Sequence, residues 1–224
     1  MIDYQFGKQL NIQEVMKNKS HYAKVFSEGC TELENLLLKL WNNNIETFMC
    51  CTGHEMDDAA YIMMYLKTTN KELMYTIIDA VYNEDQTYIT IGKEHDRDDI
   101  LIDIKSYCGG KFFENINKCL DNPVIISKLD SNIYNMVEIL SKFNYKTFDL
   151  YYEIFNSKNK KRLDIYANYC KDNGDVLTRH LHVLQKTTTL NIEELKKDAF
   201  SKDEFESKIN DINDRGRQKT IFKR

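Results

Sequence analysis

Hydrophobic and polar positions alternate along the chain in two distinct periods, and the elements follow from them. Over 31–43 the apolar residues Leu33, Leu36, Leu37, Leu40 and Trp41 recur at helical spacing. Thr31 and Glu34 have the spacing of a capping box at its start. Thr69 and Glu72 repeat that signal for a second helix to about residue 82, with Leu73, Ile77, Ile78 and Val81 inward. A third helix is expected over 131–143 from Ile133, Met136, Val137, Ile139 and Leu140, with Asp130 and Ser131 as caps. Asn191/Glu194 and Ser201/Glu204 open two short helices near the end of the chain.

Strands read as short β-branched and aromatic runs at 45–51, 60–66, 87–93, 100–106, 147–156, 162–170 and 176–184. Asn173-Gly174 is a hairpin signal, because that pair adopts positive φ at little cost. Short links make neighbouring strands antiparallel. The order α-ββ-α-ββ-α-βββ-αα predicts an α+β fold of hairpins with packed helices, without the regular βαβ alternation of a doubly wound sheet. One domain is expected over 1–214, with a subdivision point near 121–123 at Pro123 and a basic tail over 215–224. A helix followed by a hairpin occurs twice, at 31–66 and 70–106.

Composition narrows the class. With 31 Lys+Arg against 35 Asp+Glu, the net charge of −4 does not provide the basic face that coats nucleic acid, so no direct nucleic-acid binding is expected. No apolar run reaches the roughly 18–20 residues that span a bilayer, and the first residues lack the apolar core of a signal peptide. The expected setting is cytoplasmic, with no membrane. Six cysteines in such a setting read as reduced thiols or metal ligands.

Three of those cysteines sit where geometry brings them together. A helix over 31–43 runs roughly 19 Å and a strand over 45–51 roughly 23 Å, with a short link between them. The strand therefore returns beside the helix, and Cys30 at the helix entry meets Cys51 at the strand exit. His54 completes a Cys-x-x-His step across Gly53, and Cys30, Cys51 and His54 form a three-ligand set for zinc. Cys50 faces the opposite side of an ideal strand and joins only if the strand breaks there. His180 and His182, on one side of a regular strand, and Cys108, before Gly109-Gly110, are candidates for a fourth ligand. Two other readings of the cluster stay open: buried packing residues with a turn histidine, and a catalytic thiol at the helix N-terminus. Cys119 and Cys170 read as small apolar residues.

The segment 28–62 also resembles a module of small phage and prophage proteins. It shows a helix ending in Leu40-Trp41, then Asn44-Ile45-Glu46-Thr47, then Cys50-Cys51-Thr52-Gly53-His54 and an apolar strand. Asn44 stands where that module has glycine, and asparagine tolerates the left-handed region. The resemblance implies a mobile-element setting, in which small acidic proteins often resemble anti-CRISPR inhibitors. The function expected from it is a non-enzymatic inhibitor, stabilised by zinc, that binds a CRISPR effector nuclease or another host defence complex. The acidic turns, with Asp57, Asp58, Glu94, Asp96, Asp98 and Asp99, are candidate partner-binding residues that mimic phosphate. The alternative is a zinc- or cysteine-dependent enzyme using Cys30, Cys51 and His54, with Glu55 or Asp57 as base and His180 and His182 nearby. Lys158, Lys160, Lys161 and Arg162 make a basic hairpin tip, and tyrosines on the strands suit a protein interface. Self-association is a third reading.

Overall fold

The computed structural model describes residues 2–3, 8–9, 12–53, 59–94, 97–122, 131–142, 148–157, 160–170 and 176–185. The chain divides into two compact units, Met1–Thr187 and Thr188–Arg224, and every described residue lies in the first. Two short strands, β1 (Ile2–Asp3) and β2 (Lys8–Gln9), pair with each other. Helices α1 (Ile12–Lys17), α2 (Lys19–Phe26) and α3 (Thr31–Asn42) follow, then the hairpin β3 (Glu46–Cys51) and β4 (Ala60–Leu66). Helix α4 (Lys71–Val81) leads into the hairpin β5 (Thr87–Lys93) and β6 (Ile100–Ser106). After α5 (Lys111–Asp121) and α6 (Ser131–Lys142) come β7 (Phe148–Ser157), β8 (Lys160–Cys170) and β9 (Val176–Gln185).

This is an α+β fold, as the hydrophobic pattern predicts. Seven strands form one antiparallel sheet in the order β3-β4-β6-β5-β7-β8-β9. The order has a consequence for the connections. β4 and β5 run the same way with β6 between them, and α4 bridges them. β6 and β7 also run the same way with β5 between them, bridged by α5 and α6. The sheet thus contains two overlapping split β-α-β crossovers, which link hairpins that would otherwise lie side by side.

Alternation divides the sheet into two faces. Ile62, Met64, Ile89, Ile91, Ile102, Ile104, Tyr152 and Ile154 are buried on one of them. That face shares the core with Leu33, Leu37 and Trp41 of α3, Ile77 and Ile78 of α4, Phe113 and Ile116 of α5, and Met136 and Leu140 of α6. The opposite face carries a smaller cluster of Tyr65, Leu101 and Tyr151, with Phe48 and Met63 packed against it. Gly92 lies directly opposite Tyr151, and a Cβ there would stand 2.3 Å from the Tyr151 ring. The ring fills the gap that a glycine leaves in a central strand.

Several expectations need correction. Helices α1, α2 and α5 carry no assignment in the sequence reading. In α5, Phe112, Phe113 and Ile116 are buried at helical spacing, but the preceding Gly109-Gly110 interrupts the pattern. The capping boxes are misplaced. Cys30 is the N-cap of α3 and Asn70 that of α4, and neither makes a side-chain cap bond. A backbone turn from Asn70 N–H to Lys67 O, 2.8 Å, delays the start of α4 past Thr69. Asn44 does adopt the left-handed region, with φ 56°. The two helices expected after residue 190, and Pro123, lie outside the described residues. Among the described residues, no helix is long and apolar enough to cross a membrane.

Candidate functional site

The exit of β3 meets the turn between α2 and α3, as the lengths of α3 and β3 require. That turn is tight: Glu28 and Gly29 have φ 51° and 89°, and Cys30 N–H donates to Ser27 O at 2.8 Å. Trp41 of α3 locks the strand from the other side, its indole N–H donating to Thr47 Oγ1 at 2.8 Å in a buried position. β3 carries an irregularity between Thr47 and Met49 and is otherwise in register with β4.

Cys50 and Cys51 take opposite faces. Cys50 pairs with the core residue Ile62, and its thiol donates to Phe26 O at 3.9 Å. Burial pushes the Cys50 thiol up to about 12, and the neighbouring Cys51 and Glu28 push it the same way. A thiol held protonated is a poor nucleophile. The strand does not break before Cys51, so the condition for Cys50 to join a cluster on the other face is not met. Cys51 instead accepts the Gly53 N–H on its sulfur at 3.4 Å, where Gly53 has φ 79°. The Cys30 thiol faces Glu32 Oε2 at 3.6 Å.

Among the described residues, no three His, Cys, Asp or Glu side chains come together in a way that could hold a metal. His54, Glu55, Asp57 and Asp58 lie outside those residues, as do His95 and Asp96. The fourth-ligand candidates separate. His180 and His182 lie on β9, the edge strand opposite β3 and six strand spacings away, roughly 29 Å. A register shift pairs His182 with Ile165 but His180 with Tyr166. The two histidines therefore stand at register positions opposite neighbouring β8 residues, with Leu181 between them left out of the pairing. Cys108 is exposed and follows β6 at the same end of the sheet as Cys51.

The two acidic turns leave the sheet at opposite ends. One departs from Cys51 and returns at Ala60. The other departs from Lys93 and returns at Ile100, which pairs with Leu66 at the far end of β4. At that far end two cations, Lys93 and Arg97, lie among the carboxylates. Tyr65 donates to Glu94 Oε2 at 2.9 Å, and the Arg97 guanidinium lies 3.9 Å above the Tyr65 ring. Arg97 also reaches Glu46 at 3.7 Å and Glu94 at 3.9 Å. Asp98 and Asp99 hold up the pKa of the buried Lys93, which desolvation lowers. A pocket between the start of α4 and the ends of α3 and α5 is lined by Asn43, Thr69, Asn70, Thr76 and Cys119. It contains none of the predicted site residues.

One arrangement escapes sequence reasoning. The register places Cys51, Tyr61, Lys105, Tyr88, Phe155 and Arg162 in a single row across six strands, on the face opposite the main core. The Tyr88 and Phe155 rings lie 4.4 Å apart, and Tyr107, just past β6, meets Tyr88 edge-on at 5.9 Å. Each residue is visible as an alternate position of a predicted strand, but the row exists only once the strand order is known.

Comparison with protein-family models, with curated proteins and with solved structures finds no match to this chain. Its function is therefore argued from the residues themselves.

Proposed function

We propose that the protein is a non-enzymatic inhibitor that docks on a host defence nuclease complex of the CRISPR effector type, using the β3 edge of its sheet. The observation that supports this is Met49. It is 39% exposed, one of two exposed large hydrophobic residues among those described, and it lies at the β3 irregularity inside the module that resembles phage proteins. A bulge on an edge strand discourages strand addition and re-aims side chains. Docking then relies on Met49, next in the chain to Phe48, which packs against the Tyr65 cluster, and methionine is enriched in interface cores.

Zinc belongs to the same proposal as a structural ion. Cys51 and His54 form its nucleus, and Cys30 lies in the adjoining turn. A closed zinc site would fix the strand exit beside the docking edge.

Gel filtration of the full chain with candidate effector complexes, with and without guide RNA, tests the inhibitor reading. Co-elution that Met49→Asp abolishes at unchanged melting temperature supports it. Failure to co-elute with any complex, together with a measurable turnover activity, refutes it. Elemental analysis tests the ion: stoichiometric zinc in the wild type, lost in Cys51→Ala/His54→Ala, is expected. A metal-free protein returns these side chains to ordinary packing.

A further inference from the structure

We infer that the aromatic and cationic row at the Cys51 end of the sheet is a stacking platform for single-stranded nucleic acid. The inference goes beyond the protein-docking reading and rests on different residues. From Tyr61 to Arg162 the row crosses five strands, roughly 19 Å at the spacing of neighbouring strands. Tyr61, Tyr88 and Phe155 are only partly buried, and Tyr107 is 52% exposed. Partly exposed rings on a rigid sheet offer π-faces to bases at low cost in side-chain entropy, and every base has a face to stack.

Two cations on this surface are presented to solvent. Lys105 pairs with Asp103 at 3.1 Å, and Arg162 pairs with Asp164 at 2.7 Å. In both pairs the carboxylate is hidden and the cation is presented: the side chains of Lys105 and Arg162 are 47% and 45% exposed, those of Asp103 and Asp164 only 8% and 9%. Aromatic faces with flanking cations are the combination that holds a strand by stacking and by phosphate contact.

The decisive experiment is fluorescence anisotropy of the full-length protein with labelled oligothymidylate and oligouridylate of about 15 nucleotides. Saturable binding is expected that weakens with salt and prefers a single strand to a duplex of equal length. Tyr107→Ala, at an exposed position that leaves the fold intact, should weaken binding roughly ten-fold, and Tyr107→Phe should restore it. Arg162→Gln should reduce the salt slope by about one. Three results overturn the inference: no saturable binding at low salt; affinity unchanged in Tyr107→Ala and in Tyr88→Leu; or displacement by polyglutamate as efficient as by unlabelled oligonucleotide. The last would mark the surface as one for acidic proteins.

Discussion

Thr47→Val tests how α3 is fastened to the edge strand. Trp41 is fully buried and Thr47 is 1% exposed, and the indole N–H has its hydrogen bond at 2.8 Å to the threonine hydroxyl. Valine keeps the branched shape of threonine but accepts no hydrogen bond. The substitution opens little cavity and strands one buried donor, which costs about 1–3 kcal/mol. In a chain of this size each kcal/mol lowers the melting temperature by about 2–4 °C, so a fall of roughly 2–12 °C is expected. Trp41→Phe removes the donor as well as ring volume and costs more, because a cavity term adds. Once the donor is gone, Thr47→Val should cost under about 1 kcal/mol. Urea denaturation of both single variants and the double variant measures the coupling. Additivity within about 0.5 kcal/mol would refute the claim that this bond fastens helix to strand.

Other outcomes follow from single contacts. Gly92→Ala forces a Cβ into the Tyr151 ring and should cost about 1–3 kcal/mol, measured by chemical denaturation. Adding Tyr151→Leu should relieve part of that loss, and a purely additive double variant counts against the close approach. Phe113→Ala, fully buried in α5, should lose about 3–5 kcal/mol, and a smaller loss would mean that α5 is peripheral to the core. In native-state alkylation read by mass spectrometry, the exposed Cys108 should react well before Cys50, whose thiol is pushed up to about 12; equal rates would refute its burial. Asp103→Asn carries a pH signature. Burial raises the Asp103 carboxyl above its ordinary value, and Lys105 offsets only part of that. A carboxyl raised in the folded state holds its proton more tightly there, so stability falls as pH rises through the window between the unfolded and folded values. The penalty is complete above the folded value. The asparagine variant should therefore gain on the wild type at neutral pH and lose that gain on acidification, and a difference that is flat with pH would refute the assignment.

The strands were the most legible part of the sequence. The runs 60–66, 87–93 and 100–106 appear in the structure with unchanged bounds, because alternation, β-branching and flanking turn residues all agree there. The helices were less so. Thr31 and Thr69 carry the capping signature, yet Cys30 and Asn70 hold the cap positions, since a backbone turn can close a helix entry without a side chain. Helix α5 escaped because its polar face and its preceding glycines resemble a loop. In the candidate site, the opposed faces of Cys50 and Cys51 follow from alternation alone. The register shift between His180 and His182 does not, because a bulge leaves no mark in the residue types that flank it.

Strand order is the step that local patterning cannot supply, and here it carries the chemistry. Two hairpins joined by a helix would, by default, lie beside each other as β3-β4-β5-β6, with Tyr61 next to Tyr88. The split crossovers insert β6 between β4 and β5, so Lys105 lies between the two tyrosines. The insertion also hydrogen-bonds β7 to the outer edge of β5, bringing Phe155 against Tyr88 and Arg162 one strand further on. A cation between aromatic rings on one face is thus a product of topology acting on residues separated by about a hundred positions. The same topology sends the two acidic turns to opposite ends of the sheet, so that the link from Cys51 to Ala60 leaves the sheet at the end that carries the aromatic row. The row proposed to stack bases therefore begins at Cys51 and ends at Arg162, its two presented cations on the third and sixth of the six strands it crosses.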